Sequence, residues 1–182
     1  MIINRTNKYK GFFTVDELTV KTKSGAEIKR EVMVRKNGVA AVVYDTNKKK
    51  FIFVSQWRPG SNSYLTELVA GTMDKENENS KDTIIREIDE EIGYEVDKIE
   101  FINESYMSPG GLTEIIYIYY CEVSNRLHQG GGLKNENEEI DVIEMSLNEV
   151  LSSKFIDAKT LLGINFIKQN ENRFHKRTES IY

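Results

Sequence analysis

The nine residues REIDEEIGY, from Arg86 to Tyr94, concentrate acidic side chains in a short stretch of chain. If this stretch is helical, Glu87, Glu90 and Glu91 lie on one side of the helix, where like charges three or four residues apart repel one another. Hard divalent cations bind carboxylate oxygens, and in a typical Mg²⁺ site the phosphates of a substrate supply further ligands. A metal ion such as Mg²⁺, bound between these carboxylates, would relieve their repulsion.

Other interpretations of the acidic face stay open at this point. Most charge runs on helices are solvated faces. A calcium site is a further alternative, but the sequence lacks the twelve-residue loop of alternating Asp and Asn ligands that such sites normally carry. Acidic residues return after a glycine-rich loop, at Glu136, Glu138 and Glu139. This second acidic patch favours a functional cluster over a solvated face.

The acidic residues are expected on a helix that runs from Ser80 to Ile92. Its apolar residues recur at helical spacing, at Ile84, Ile85, Ile88 and Ile92. Ser80 is the expected N-cap, and Asp82 suits the first turn. Gly93 is expected to end the helix in the left-handed conformation. The isoleucines would dock the helix on a core and leave the carboxylates free.

Segments typical of strands surround this helix and predict a mixed α/β sandwich. The strand-like segments are GFFTVDELTVKT, EIKREVMVRK, VAAVVYD, FIFVSQW, IEFINESYM and EIIYIYYCEV. LNEVLSSKF and DAKTLLGINFIKQ are typical of helices, and ENRFHKRTESIY is expected to be a loosely held tail. We expect residues 1–34 to form a small N-terminal β-sheet region and residues 35–182 the main domain.

Composition limits the classes of function. The chain has 182 residues, 39% of them hydrophobic, which suits one domain or one with a small appendage. A net charge of −4 and the absence of a basic stripe disfavour nucleic acid as a partner. No segment has the apolar length of a signal peptide or membrane span, and Cys121 is the only cysteine, so we expect a cytoplasmic protein with a buried thiol. The two histidines lack zinc-ligand spacing.

The segment GTMDKENENSKDTIIREIDEEIGY resembles the Nudix box. The residues that fill the pattern are Gly71, Glu78, Arg86, Glu87, Ile88, Glu90, Glu91, Gly93 and Tyr94. Six residues rather than five separate Gly71 from Glu78, which is an insertion in the loop before the helix. Further segments are similar, in order, to the ADP-ribose pyrophosphatase and GDP-mannose hydrolase branch of the Nudix hydrolases: KGFFTVDELTV, NGVAAVVYD, SQWRPG, ELVAG, YMSPGGLTE and GGGLKNENEEIDV.

The resemblance implies a Nudix-type α/β/α sandwich with a mixed sheet, preceded by a small antiparallel sheet. It implies Mg²⁺-dependent hydrolysis of the pyrophosphate bond in a nucleoside diphosphate sugar, of the GDP-mannose or ADP-ribose type. The products would be a nucleoside monophosphate and a sugar phosphate. The metal ligands implied are Glu87, Glu91, Glu138 and the carbonyl of Ala70.

The resemblance also assigns roles to residues outside the metal site. Glu136 would be the water-activating base, with Glu90 and Arg86 completing the catalytic set; Arg86 would orient a carboxylate and Glu78 would support it. Arg58 would grip the diphosphate, and Gly111 and Glu114 would border the substrate. Trp57 and Phe13 are candidate stacking partners for the base. We expect a homodimer with exchanged N-terminal strands.

Two alternative functions remain. The same box occurs in hydrolases of oxidised nucleoside triphosphates or dinucleoside polyphosphates, but those relatives usually lack the N-terminal strands and the SPGG loop. A non-catalytic module that binds nucleotides or regulates a partner has no need for intact Arg86, Glu87, Glu90 and Glu91. Both alternatives are therefore less favoured than nucleotide-sugar hydrolysis.

Overall fold

The computed structural model describes residues 1–133 and 138–179. The strands in these ranges are β1 (Ile2–Lys10), β2 (Thr14–Lys21), β3 (Glu27–Val34), β4 (Gly38–Asp45), β5 (Lys50–Arg58), β6 (Ser63–Glu67), β7 (Val69–Thr72), β8 (Tyr94–Tyr106), β9 (Ile115–Arg126) and β10 (Asp141–Met145). The helices are α1 (Ser80–Ile92), α2 (Leu147–Ser152), α3 (Ala158–Gln169) and α4 (Glu171–Glu179). No helix in the described ranges is long and apolar enough to span a membrane.

The main sheet is mixed. Strands β4 and β9 pair in parallel, whereas the other pairs of strands in this sheet are antiparallel. Its order is β10-β5-β4-β9-β8, with β6 added to β5 and β7 added to β4. Alternate residues of β4 point to opposite faces. Ala40, Val42 and Tyr44 pack in a core with α2, α3 and α4, whereas the odd-numbered residues from Val39 to Val43 pack in a second core with α1. The architecture is the α/β/α sandwich that the sequence predicts.

A small antiparallel sheet of order β1-β2-β3 precedes the main sheet. Strand β1 was not among the predicted strands, since its sequence is polar and its residues are exposed along its whole length. The small sheet is tied to the loop before β9: the Met33 backbone N–H donates to Gly111 O at 2.8 Å, and Thr113 N–H donates to Met33 O at 3.1 Å. The boundary between residues 34 and 35 stays a prediction.

Helix α1 begins and ends almost as predicted. The N-cap is Asn79 rather than Ser80, because the Asn79 side-chain oxygen accepts the Asp82 N–H at 2.9 Å. Ser80 is the first helical residue, and its hydroxyl bonds the Tyr119 hydroxyl at 2.7 Å. Gly93 ends the helix in the left-handed conformation, with φ of 73°, as predicted.

The expectation of a loosely held C-terminal tail is wrong for residues 171–179. They form α4, and Phe174 is buried against the rings of Tyr44, Phe51 and Tyr120. The helix was not predicted because the segment is polar and only one aromatic side chain, that of Phe174, makes this contact with the core. Residues 180–182 lie outside the described part of the chain.

Candidate active site

Glu91 is the most deeply buried carboxylate of α1. Only 4% of its surface is exposed, and it accepts hydrogen bonds from the Ala70 N–H at 3.2 Å and from Gln56 Nε2 at 3.4 Å. Burial raises the pKa of Glu91 to about 8, and the charges of Glu87 and Glu138 add to the rise. A carboxylate in this position gains stability from a cation placed beside it.

Glu87 lies one helical turn before Glu91 and packs on the backbone of β7. A Cβ atom on Gly71 would lie 1.9 Å from the carboxyl carbon of Glu87, so any larger residue at that position would displace the Glu87 side chain. Burial raises the pKa of Glu87 to about 7. Gly71 pairs with Val39 of β4, so the loop insertion lies beyond β7 and leaves this contact in place.

Arg86 binds three carboxylates of the box. Its guanidinium pairs with both oxygens of Glu78, at 3.0 and 3.1 Å. Its Nη1 lies 2.8 Å from Glu87 Oε1 and 2.8 Å from Glu90 Oε2. This geometry suits the predicted orienting role, which stays a prediction. It also shows Glu78 as the bidentate partner of Arg86.

One cavity of about 240 Å³ brings the acidic residues together. Its lining includes Glu87, Glu90, Glu91, Glu138, Ala70, Gly71, Arg58 and Arg86. Glu138 accepts the Leu133 N–H at 3.1 Å, which places it at the end of the glycine-rich segment. Glu136 lies outside the described residues.

The donor set of this cavity fits a hard divalent cation. Carboxylates of Glu87, Glu91 and Glu138 and the carbonyl of Ala70 offer only oxygen ligands, which Mg²⁺ and Mn²⁺ prefer. Within residues 1–133 and 138–179, no three His, Cys, Asp or Glu side chains converge with the spacing of a metal site. In this structure Glu87 and Glu90 are each paired with Arg86 at 2.8 Å.

Arg58, the last residue of β5, lines the same cavity as the carboxylates. Its Nε and Nη2 donate to the two oxygens of Glu67, each at 2.9 Å. Glu67 is buried and also accepts Lys159 Nζ at 2.5 Å, and Lys159 in turn lies 3.0 Å from Asp157. Arg58 was predicted from the sequence, whereas Glu67 and Lys159 were not, since α3 and β6 are far apart in the chain.

A second cavity, of about 330 Å³, is also lined by Ala70 and Gly71. Arg35, Arg58, Glu114, Asp157 and Lys159 are among its lining residues. Glu114 is paired with Arg35 Nε at 3.2 Å. Phe13 does not line this cavity, but the Arg35 guanidinium lies over its ring at 5.4 Å. Gly111 does not line it either.

A third cavity, of about 300 Å³, is formed by Gln56, Trp57, Arg58, Tyr64, Glu138 and Glu139. Trp57 is directly opposite Tyr64 in the pairing of β5 with β6. Tyr64 was not among the residues predicted from the sequence. The turn residues Pro59 and Gly60 were the signal that could have indicated a hairpin and hence this pair.

Cys121 is not part of any of these cavities. It is buried in β9, and burial raises its pKa to about 12. A thiol with that pKa is neutral at physiological pH, so it acts as a core residue and not as a nucleophile.

Known proteins resemble this chain along most of its length. A GDP-mannose pyrophosphatase of Escherichia coli (strain K12) is 35% identical over 173 residues, which cover 86% of this chain and 88% of the relative. A methanol dehydrogenase activator of Bacillus methanolicus is 33% identical over 161 residues, 86% of this chain and 85% of the relative. The crystal structure of an ADP compounds hydrolase matches with a TM-score of 0.78 over 95% of both chains at 18% identity, which confirms the predicted fold.

The family model described as the NUDIX domain matches residues 34–162, a span that includes the box, β9 and the start of α3. The resemblance recognised in the box is thereby confirmed, and the chain belongs to the Nudix hydrolase family.

Proposed function

We propose that the protein hydrolyses the pyrophosphate bond of nucleoside diphosphate sugars to a nucleoside monophosphate and a sugar phosphate. The observation that carries the proposal is that Glu87, Glu91, Glu138 and Arg58 line the same cavity. Oxygen ligands for a cation and a guanidinium for phosphate are the two requirements of diphosphate chemistry. The GDP-mannose pyrophosphatase relative supports this substrate class.

In this reaction a water oxygen bonds to one phosphorus while the bond from that phosphorus to the bridging oxygen breaks. The water proton passes to a base, and the bridging oxygen leaves with the other phosphate. Mg²⁺, with Mn²⁺ as the alternative, would be held by Glu87, Glu91, Glu138 and the Ala70 carbonyl. When bound, it lowers the pKa of water and neutralises phosphate charge.

The residues around the metal ligands have separate tasks in the proposal. Arg58 grips the diphosphate, and Glu67 fixes its guanidinium plane by the bidentate pair. Arg86 holds Glu87 and Glu90 in place against their mutual repulsion. Glu136 receives the proton of the attacking water, as the resemblance implies. Gly111 and Glu114 border the substrate.

The proposal extends to assembly and location. Residues 1–34 form the dimerisation region of a homodimer with exchanged strands, and Phe13 takes part in substrate binding. Exposed apolar side chains on β1 and in the turn that follows it support this proposal: Ile2, Ile3, Tyr9 and Phe12. The protein acts in the cytoplasm.

The test is product release from a panel of nucleotides with and without Mg²⁺. We expect GDP-mannose and ADP-ribose to be cleaved to the monophosphate and the sugar phosphate, and cleavage to stop in excess chelator. A preference for an oxidised nucleoside triphosphate or a dinucleoside polyphosphate would indicate a different Nudix activity. Binding without turnover of any substrate would identify a non-catalytic module.

A second candidate function is activation of a partner enzyme, because one relative is named a methanol dehydrogenase activator. Glu91→Gln separates the two functions. It should abolish hydrolysis, and it should leave any activation intact if activation does not depend on hydrolysis.

A further inference from the structure

The last turn of α1 is bonded to the segment that follows β9. We call residues 127–133 the glycine segment, because three consecutive glycines lie within it. Gly131 N–H donates to Glu91 O at 2.8 Å, and Gly132 N–H donates to Glu90 O at 3.2 Å. The last carbonyls of a helix have no partner within the helix itself. The glycine segment supplies those partners, at two residues whose side chains line the acidic cavity.

The glycine segment lies against the backbone of α1. Gly130 has a φ of 67°, in the left-handed region, and a Cβ atom there would lie 2.5 Å from Glu91 O and 2.6 Å from the Cα of Ile92. The helix itself is docked on the core by fully buried side chains, those of Ile84, Ile88 and Ile92. Because close-packed backbone has little freedom to move, a larger residue at position 130 would push the glycine segment away from α1.

His128 links the two elements through its side chain. Its Nδ1 accepts the Gly130 N–H at 3.1 Å, so the ring hydrogen is on Nε2, which donates to Asp89 Oδ1 at 2.9 Å. The backbone of His128 is held as well. Its N–H donates to Gly93 O at 3.3 Å, and its carbonyl accepts Arg126 Nε at 3.1 Å. The start of the glycine segment is thereby fixed to the end of α1.

The other end of the glycine segment contacts Glu138. Glu138 Oε2 accepts the Leu133 N–H at 3.1 Å, and the Glu138 N–H donates to Leu133 O at 3.4 Å. A Cβ atom on Gly132 would lie 2.7 Å from Oε2 and 2.8 Å from the Cβ of Glu138, so a larger residue there would displace this side chain. Ile140 is buried and anchors the chain after Glu138, whereas the glycine segment anchors it before.

We infer that the glycine segment sets the position of Glu138 relative to the carboxylates of α1. Its positioning residues are Gly130 and Gly132, which allow the close contacts, and His128, which links the two elements. The inference rests on the proposed function, because Glu138 is a metal ligand only in that proposal. The other two carboxylate ligands lie one turn apart on a docked helix, so only Glu138 has to be brought to the site from another part of the chain.

The test measures Mn²⁺ binding by the full-length protein without substrate, from the electron paramagnetic resonance signal of free Mn²⁺. Gly132→Ala should raise the Kd for Mn²⁺ about tenfold, because losing the support of a metal ligand typically costs about 10–100-fold in affinity. Gly25→Ala is the control for backbone strain. Gly25, in the turn between β2 and β3, has a left-handed φ of 89°, and nothing lies within 4 Å of a Cβ atom there. This variant should leave the Kd unchanged.

A double-substitution cycle shows whether the glycine segment acts through Glu138. Gly130→Ala alone should raise the Kd for Mn²⁺ about tenfold. In the Glu138→Gln background, which already lacks the charge of that ligand, Gly130→Ala should raise the Kd no further. Losses that add in the double variant would mean that Gly130→Ala acts on α1 or on the whole fold, and they would overturn the inference.

His128→Ala removes the side-chain link alone. It should raise the Kd for Mn²⁺ about fivefold, the loss expected for about 1 kcal/mol of net hydrogen bonding. His175→Ala is the matched control, because both histidine side chains are 48% exposed and each pairs with a carboxylate, at 2.9 Å for His128 and 3.0 Å for His175. Equal Kd values for the two variants would remove His128 from the positioning residues.

Equal Kd values for Gly132→Ala and Gly25→Ala would also overturn the inference. Circular dichroism of each variant checks the fold. Hydrolysis of a nucleotide sugar by the wild-type protein is measured separately, so the positioning of Glu138 can fail while the proposed function stands. A protein that binds Mn²⁺ as expected but cleaves no nucleotide sugar would contradict the proposed function alone.

Discussion

At the scale of single residues, the site depends on carboxylates buried at an energetic cost. Glu91 has a pKa of about 8 in the folded protein against an ordinary value of 4.5. The folded state therefore holds the Glu91 proton more tightly than the unfolded state does. As pH rises from about 4.5 toward 8, this difference destabilises the metal-free fold, and the loss is complete above the folded pKa.

Glu91→Gln removes this charge but keeps the side-chain shape. In chelator, we expect the variant to melt at a higher temperature than the wild type at pH 8, with a difference that shrinks toward pH 5. The same variant should lose at least about 10²-fold in turnover, because a neutral amide holds a cation weakly. Thermal melts across pH test the first part. A wild type that is the more stable form at pH 8 in chelator would contradict the buried-charge argument.

The position of the Glu87 side chain depends on Gly71, because the Glu87 carboxyl group lies where a Cβ atom of residue 71 would be. Gly71→Ala should displace Glu87 and lower turnover by about 10²-fold, the loss expected for a misplacement of about 1 Å. Gly110→Ala is the control, since nothing lies within 4 Å of a Cβ there. Equal turnover for the two variants, measured with a nucleotide sugar at saturating Mg²⁺, would contradict the packing argument.

At the scale of elements, the sequence predicts the helices and strands whose apolar residues follow a simple period. The isoleucines of α1 repeat with helical spacing and dock it as expected, and the strands rich in β-branched residues form the central sheet. The exposed β1 and the polar α4 were missed because neither shows such a period. The box places Glu87 and Glu91 by sequence alone, whereas Lys159 and Tyr64 join the site through contacts between distant segments that no local pattern contains.

The packing of α4 against the core, in place of the loosely held tail expected from the sequence, can be tested directly. Phe174→Ala should lower the free energy of unfolding by about 3–5 kcal/mol, because the ring is buried among Tyr44, Phe51 and Tyr120. His175→Ala, at an exposed neighbouring position, should change it by less than about 0.5 kcal/mol. Chemical denaturation of both variants measures the difference. Equal stabilities would mean that the segment is the loose tail that its composition suggests.

At the scale of the whole molecule, the N-terminal sheet presents apolar side chains for which a second copy of the chain is the proposed partner. Replacing Ile2, Ile3 and Phe12 together by Ser should shift the protein from dimer to monomer in sedimentation experiments. The melting temperature of the monomer should change little, because these side chains are exposed. The control replaces Phe101, an exposed ring of β8, by Ser. If the triple variant is still a dimer, the interface does not depend on these side chains and lies elsewhere on the molecule.

Hydrolysis of the pyrophosphate bond is tested most directly by where water enters the substrate. The measurement is mass spectrometry of the products formed from GDP-mannose in H₂¹⁸O, with Mg²⁺ and with excess chelator. We predict GMP and mannose 1-phosphate, with ¹⁸O in only one of the two phosphates, and no products in chelator. Release of GDP and free mannose, or undiminished cleavage in chelator, would contradict metal-dependent hydrolysis of the pyrophosphate bond.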